Sequence, residues 1–569
     1  MKLAQVLQFI LLKATKNKKR GVKMYKKKSI LIFILCISLV FTLLTGCTGQ
    51  DEQDNGGKET ISDGTDSEKP VTEFKEGVIV TGKALEVTED ANTVYQETIT
   101  IAPSLVFTSM DVQNEPGGTA KGVFMLVFNT LVEYDTMKDE YIPGLAESWQ
   151  QISDTVWELK LREGVKFHDG SEFTAKDVKF TIERGKEMGA SKSRFASISE
   201  VEIVDEHTVN LILNSPDNDI IYKLCEPNTV IISANAFETL DENEANQVGT
   251  GPYMYNEWVQ GDYLSLVRFD DYWDGATKTK EIVIRAIPEA SSRLIALQTG
   301  EIDMCVDPPV IDLHYVASDK NLVLWQIPSS NIRHISVNME VEPFDNKLVR
   351  QAVMHAMDRE ALLALVYEGN ATPHYGVMHP ISEFYIEADT PEYNPEKAKS
   401  LLAEAGYPNG FKTTIYSSAG TVQKAVANVM QAQLAEVGIE VEIQSLETAT
   451  FNAGVAHGGT FPLAVDGWGG HTIGPDNALR TYFHSNGSSN RSNIHDEYVD
   501  KLIDEAIAEK DYEKRKSLYA ELQQYLIDNS NWIPLAIEQI NVGMNVNVQG
   551  FELPHGLFHH WRNLYIVEE

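Results

Sequence analysis

An α/β fold divided into two or more domains is predicted by three features of the sequence. From Tyr95 onward, stretches of period-two hydrophobicity alternate with amphipathic helical stretches, the pattern of an α/β architecture. About 490 residues follow the polar N-terminal region, more than a single core usually supports. No short-period repeat is visible, which argues against a solenoid.

The N-terminal region is read apart from the fold. Lys26-Lys27-Lys28 precede 17 uncharged residues, Ser29 to Thr45, mostly Ile, Leu, Phe and Val. A basic start, an apolar middle and a small-residue end are the parts of an export signal. A membrane-spanning helix is the competing reading, since about 20 apolar residues cross a bilayer. Thr45-Gly46-Cys47, placed where a peptidase cuts, favours the signal. Leu44-Thr45-Gly46-Cys47 matches the bacterial lipobox, so 1–46 is expected to be removed and Cys47 to carry the lipid (a diacylglyceryl group and palmitate). Met24, followed by Tyr25 and three lysines, reads as the natural start. Residues 47–94 are then a lipidated N-terminus and an acidic tether. Its polar residues, Thr48 to Glu76, cannot bury a core and as a coil span roughly 30 Å. The expected location is the outer face of a Gram-positive-type cell membrane.

Ten of the 48 basic residues and none of the 83 acidic ones precede Thr48, so the remainder carries 38 basic against 83 acidic residues, a net of −45. Such a surface repels nucleic acid. Besides Cys36 and Cys47, only Cys225 and Cys305 remain. Export would permit a bond between them, but two buried free thiols are the preferred reading. No Cys-x-x-Cys pattern appears, and no cofactor is expected.

The elements follow in order. "YQETITIAPS" (95–104) reads as a strand, "MDVQNEPGG" (110–118) as a polar loop, and "VFMLVFNTLVEYD" (123–135) as a helix running into a strand. Trp157, Leu159 and Leu161 share one face of a half-buried strand. Thr174, with Asp177 three residues on, has the spacing of a helix-capping box. "EIVDEHTVNLIL" (202–213) is a further alternating stretch, and "EIVIRAIP" (281–288) a strand. Leu348, Ala352, Val353 and Ala356 mark one face of a helix, with Asp345 and Asp358 as available caps. Asn394 before Pro395, and Gly406 beyond the end, frame another helix. "VQKAVANVMQAQLAEVGIEVEIQSLE" (422–447) reads as helix into strand. Two amphipathic helices break near Lys510-Asp511, and "WIPLAIEQINVGMNV" (532–546) returns to strand.

Chemistry-bearing motifs are few. His168-Asp169-Gly170 sets a histidine beside a carboxylate, yet neighbours on such a turn point apart and no nucleophile motif accompanies them. A turn in which Asp169 bonds backbone and Gly170 takes positive φ is expected. His-Glu-x-x-His, Gly-x-Ser-x-Gly and phosphate-loop signatures are absent. The glycine-rich stretch 465–487 offers Trp468 as a flat wall, with His471 and Arg480 as polar groups. His555, His559 and His560 are read as packed or exposed rather than metal-bound.

Five blocks together resemble the peptide/nickel-type solute-binding proteins of ABC importers. They are "GLAESWQQISDTVWELKLREGVKFHDGSEFTAKDV" (144–178), "VGTGPYMYNEW" (248–258), "EASSRLIALQTGEIDM" (289–304), "PFDNKLVRQAVMHAMDREAL" (343–362) and "NPEKAKSLLAEAGYPNGF" (394–411). The resemblance implies a two-lobed periplasmic-binding-protein-like fold of the large class II type, with a central ligand cleft. Lobe I would hold 95–328, with 134–249 as its extra subdomain; lobe II would hold 329–529, and 530–569 would return to lobe I. It also implies that loops 110–118 and 466–477 face each other across the cleft, giving Asn114 and Glu115 from one side and Asp466, Trp468, His471 and Arg480 from the other. Several dipeptide and oligopeptide receptors of the family carry an aspartate for the peptide ammonium where this chain has His471. Either Glu115 or Asp466 takes that task, or the ligand lacks a free amine. The expected function is a monomeric, non-enzymatic receptor that closes on a di- or oligopeptide and delivers it to a permease and ATPase complex. A nickel or other metal-chelate receptor is the alternative cargo reading, and a surface hydrolase the reading of another class.

Overall fold

Two long strands belong to both halves of the molecule. The computed structural model describes residues 71–568, apart from 74–77, 91, 105–108, 115–119, 136–139, 218, 381, 457, 469–474 and 554–559. The stretch read as an export signal and Cys47 lie outside the described residues, as do Glu115, His471, His555 and His559.

The first half is built on β1 (Thr98–Ala102), α1 (Ala120–Val127), β2 (Ala146–Ser153), β3 (Val156–Leu161), α2 (Ala175–Gly185), β4 (Ile198–Asp205), β5 (Thr208–Leu213), β6 (Tyr253–Val259), β7 (Tyr263–Arg268), β8 (Glu281–Arg285) and β9 (Met304–Val306). After β10 (Leu322–Val337) come α3 (Lys347–Ala356), α4 (Arg359–Val366), α5 (Pro395–Glu404), β11 (Phe411–Ser418), α6 (Thr421–Glu436), β12 (Ile439–Leu446), β13 (Leu463–Trp468), α7 (Pro475–Phe483), α8 (Glu497–Ala508), α9 (Tyr512–Asp528) and β14 (Ile533–Asn545). The main sheet runs β6-β7-β8-β1-β9-β14-β10-β13-β11-β12. β10 and β14 lie antiparallel at its centre, Leu322–Pro328 against Gln539–Asn545 and Ile332–Ile335 against Ile533–Ile537. One end of this pair packs into a core with Ile101, Leu266, Ile282 and Met304. The other end joins a separate core with Val353, Leu363, Val426 and Leu463. A third core fills the four-stranded sheet β2-β3-β5-β4, where Leu159, Leu161, Val209 and Leu211 meet Val178 and Ile182 of α2.

Local signals in the sequence map onto these elements. Thr174 caps α2 with the full reciprocal box to Asp177, Asn394 caps α5 with Pro395 at its first turn, and Gly406 takes φ 96° beyond it. Asp511 starts α9 after the break at Lys510. Two readings shift. The stretch 202–213 is a hairpin, because Asp205 Oδ1 accepts from His207 N at 2.9 Å and turns the chain between β4 and β5. Asn346, not Asp345, caps α3, its Oδ1 accepting from Leu348 N at 2.9 Å. Cys225 and Cys305 are buried free thiols.

Where β10 passes from one core to the other, its register with β14 breaks: Pro328 faces Gln539 and Ile332 faces Ile537, so Ser329, Ser330 and Asn331 bulge opposite Glu538. Arg333 donates from Nε and Nη2 to Glu538 at 2.9–3.1 Å, Tyr367 Oη donates at 2.8 Å, and Asn331 Nδ2 donates as well. The bulged carbonyl of Ser329 accepts from His379 Nε2 at 3.0 Å. Removing one member of a buried ion pair strands the other charge. Glu538→Ala is therefore expected to lower unfolding free energy by about 3–5 kcal/mol in urea titrations, and Glu538→Ala combined with Arg333→Met to regain most of it.

Candidate ligand-binding site

Strand β13 lies against β10 with His334 opposite Asp466 and Ile332 opposite Trp468. Alternation sends Asp466 into the protein, where it is 4 % exposed. Its Oδ1 accepts from Arg491 Nη1 at 2.5 Å and from Gly467 N at 2.8 Å, and its Oδ2 from Ser336 Oγ at 3.2 Å. His334 Nε2 stands 3.7 Å from Oδ2. Burial opposes ionisation of Asp466, but the adjacent Arg491 guanidinium holds its carboxyl below the usual range. His334 is pushed down to about 4 by burial, and its ring stacks on Trp532 with centroids 3.7 Å apart. The Asp466 carboxylate, one of the two offered for a ligand ammonium, is thus engaged by an internal cation.

Trp468, read as an open wall, is packed at the head of an aromatic cluster, 4 % exposed. Its ring lies 4.7 Å from Tyr482 and 5.7 Å from Trp532. Arg480 stands apart: it is exposed on α7 and its guanidinium pairs with Asp504 of α8. It faces water because α7 buries its Leu479 and Phe483 instead.

In the first half, Asn114 Nδ2 donates to Asp111 Oδ2 at 2.8 Å, and its Oδ1 accepts from Gly189 N at 3.2 Å. The loop called polar is anchored inward. Arg184 of α2 grips Asp111 through both terminal nitrogens at 2.9 and 3.1 Å and Gln113 Oε1 at 2.8 Å. Sequence reasoning passed over Asp111, Gln113, Arg184 and Arg491, since none sits at a telling spacing from its partner.

His168 is a structural residue. Gly249 N donates to its Nδ1 at 3.3 Å, so the proton resides on Nε2, which donates to Gly251 O at 2.9 Å. Asp169 Oδ1 accepts from Ser171 N at 2.9 Å and Gly170 has φ 83°, the turn expected. Among the described residues no group of three His, Cys, Asp or Glu side chains is arranged to hold a metal. No helix among them is long and apolar enough to cross a membrane.

Residues 140–490 match the model of the bacterial extracellular solute-binding proteins, family 5. The chain belongs to this family. It is 33 % identical over 471 residues to the glutathione-binding protein GsiB of Shigella dysenteriae, covering 80 % of this chain and 91 % of GsiB. The periplasmic binding protein DppA of Helicobacter pylori, solved with the peptide STSA, superposes with a TM-score of 0.74 at 27 % identity, over 84 % of this chain and 99 % of that one. The dipeptide-binding protein of Pseudoalteromonas sp. SM9913, solved with Met-Leu, gives a TM-score of 0.75 at 25 % identity, over 82 % and 99 %. This family-5 protein therefore has the two-lobed fold and is an extracytoplasmic substrate-binding receptor of an ABC importer, of a family that works with a permease and ATPase.

Burial pushes the His168 pKa down to about 4. A histidine depressed on folding contributes stability that is complete above the unfolded value near 6.5 and is lost as pH falls toward 4. Urea unfolding should show the wild-type protein losing about 2 kcal/mol more than His168→Gln between pH 7.5 and pH 5; equal losses would exclude this role.

Proposed function

We propose that this protein is a lipid-anchored surface receptor that captures a di- or oligopeptide and passes it, chemically unaltered, to the permease. The observation that carries the reading is the strand pair β10/β14, shared by two separate cores and broken in register at 329–331. Such a joint allows two rigid bodies to close around a guest, and binding then shifts the population toward the closed form. Lobe I is taken as 95–328 with subdomain 134–249 and the return 530–569, and lobe II as 329–529. Cys47 provides the anchor at the outer face of the membrane, and the receptor acts as a monomer.

Peptide cargo is supported by the relatives whose names or bound ligands are glutathione, STSA and Met-Leu. The absence of hydrolase signatures supports binding without turnover. Mass spectrometry of material released by denaturing the purified protein, with calorimetry against glutathione and a mixed peptide digest, tests the reading. A retained or titrating peptide is expected, recovered uncleaved. Failure to retain or bind any peptide would overturn it.

A further inference from the structure

The chain that leads into β1 is built into lobe I. Ile79–Thr81 forms a strand antiparallel to β10, with Ile79 opposite Gln326, Val80 opposite Trp325 and Thr81 opposite Leu324. Val78 and Val80 are buried in the core that holds Val323, Ile327 and Val542 of the two crossing strands. Farther on, Leu85 N donates to Val546 O at 2.8 Å, and Leu85 O accepts from Gln549 Nε2 at 3.1 Å. Glu89 then gathers three donors: Lys278 Nζ at 2.7 and 2.8 Å, Tyr95 Oη at 2.6 Å and Tyr565 Oη at 2.5 Å. Gln96 N donates to Ile566 O at 2.8 Å, and Glu568 N to Val94 O at 2.9 Å. The segment 78–96 is thus fastened to β10 directly, and to the chain that continues β14.

Its place on β10 has a mechanical consequence. β14 occupies one edge of β10 on both sides of the bulge. On the opposite edge, β13 pairs with 332–337 and Ile79–Thr81 with 324–326. Among the described strand pairs, residues 327–331 of β10 alone have no strand on that edge. Hydrogen bonds along both edges hold a strand in line, and a bulge is where a ladder kinks. Without Ile79–Thr81, the lobe I half of β10 would be an edge strand held from one side only. Bending would then spread from the bulge back toward Leu322.

We propose that residues 78–96 are a strap that braces the hinge. By pairing with β10 and stapling the continuation of β14, the strap confines bending to 327–331 and limits how far the lobes part. The inference rests on the receptor reading above for the motion of the lobes, and on no particular cargo.

In the full chain, Val78→Ser with Val80→Ser weakens the strap's grip on the core, and Glu89→Gln with Lys278→Met undoes its clasp. The second pair is exposed and leaves the core intact. Hydrogen exchange read by mass spectrometry follows the strap (78–90), the hinge (322–331) and α6 as a control in lobe II. Spin labels at the exposed Gln151→Cys and Glu513→Cys report the distance between lobes. They flank the contact of Asp154 Oδ2 with Lys510 Nζ at 2.6 Å, which joins the turn between β2 and β3 to the turn between α8 and α9. Release of the strap should speed exchange over 322–331 by about 10-fold and widen the distance distribution, with α6 unchanged. A released strap with hinge and distances unaltered would overturn the brace. Equal acceleration in α6 would do the same, since the strap would then serve general stability. A strap still protected when all four substitutions are combined would overturn these contacts as its grip. Glutathione and a mixed peptide digest are then added to the wild-type protein: lobes that draw together on neither would overturn the receptor reading and leave the exchange result for the brace standing.

Discussion

The pairing of β10 with β14 is the constraint on which the rest depends. Each strand contributes one end to each of two hydrophobic cores, so neither lobe is complete without both. A continuous ladder would weld the lobes into one slab. The three-residue bulge at 329–331 interrupts it where the cores part, and a bulge leaves backbone groups off the ladder. Glu538 answers that break by gathering Arg333, Tyr367 and Asn331 around one carboxylate. Arg333 also lies opposite Gly467 on β13, where a Cβ would come within 2.9 Å of its Nη1. The same guanidinium therefore packs against the joint and against the strand that bears Asp466 and Trp468.

Charge is largely unpaired on the outside and paired on the inside. The exterior is strongly acidic, which favours solubility and keeps polyanions away. Inside, four guanidinium groups are each oriented by a carboxylate: Arg184 by Asp111, Arg194 by Glu226, Arg333 by Glu538 and Arg491 by Asp466. Pairs of this kind are weak evidence for stability, because desolvation offsets much of their attraction. Their value is geometric. A guanidinium fixed by one carboxylate presents its remaining N–H groups in a set direction, and a planar fork suits a second carboxylate.

Much of the fold was legible because local rules and tertiary packing agree in it. The Thr174–Asp177 box, Asn394-Pro395 and Asp511 are decided within four residues of chain, and each is found where the sequence puts it. The hairpin at 205–208 was missed because its two strands share one alternating pattern and only an Asx turn divides them. The site was legible only by halves. Asp466 is conspicuous beside Gly467 and Trp468, but its partner Arg491 lies 25 residues on, at no repeating spacing. Arg480 drew notice for its place in the glycine-rich stretch, yet helical periodicity turned it outward.

A charge that is bridged by both lobes acts on closure in a way that a one-sided contact does not. Interactions made equally in the open and closed forms raise affinity and leave the population of forms unchanged. A solute that touches both lobes at once can do so only when they are near, so its contribution falls on the closed form. One charge-assisted interaction, about 1.5–3 kcal/mol, shifts such an equilibrium by roughly 10- to 100-fold. The Asp154–Lys510 contact, solvent-exposed on both sides, adds at most about 1 kcal/mol and is available without ligand. On the proposed reading, closure without cargo is thus held weakly and closure on a solute gripped by both lobes strongly, a difference of shape by which a permease would distinguish a loaded receptor from an empty one.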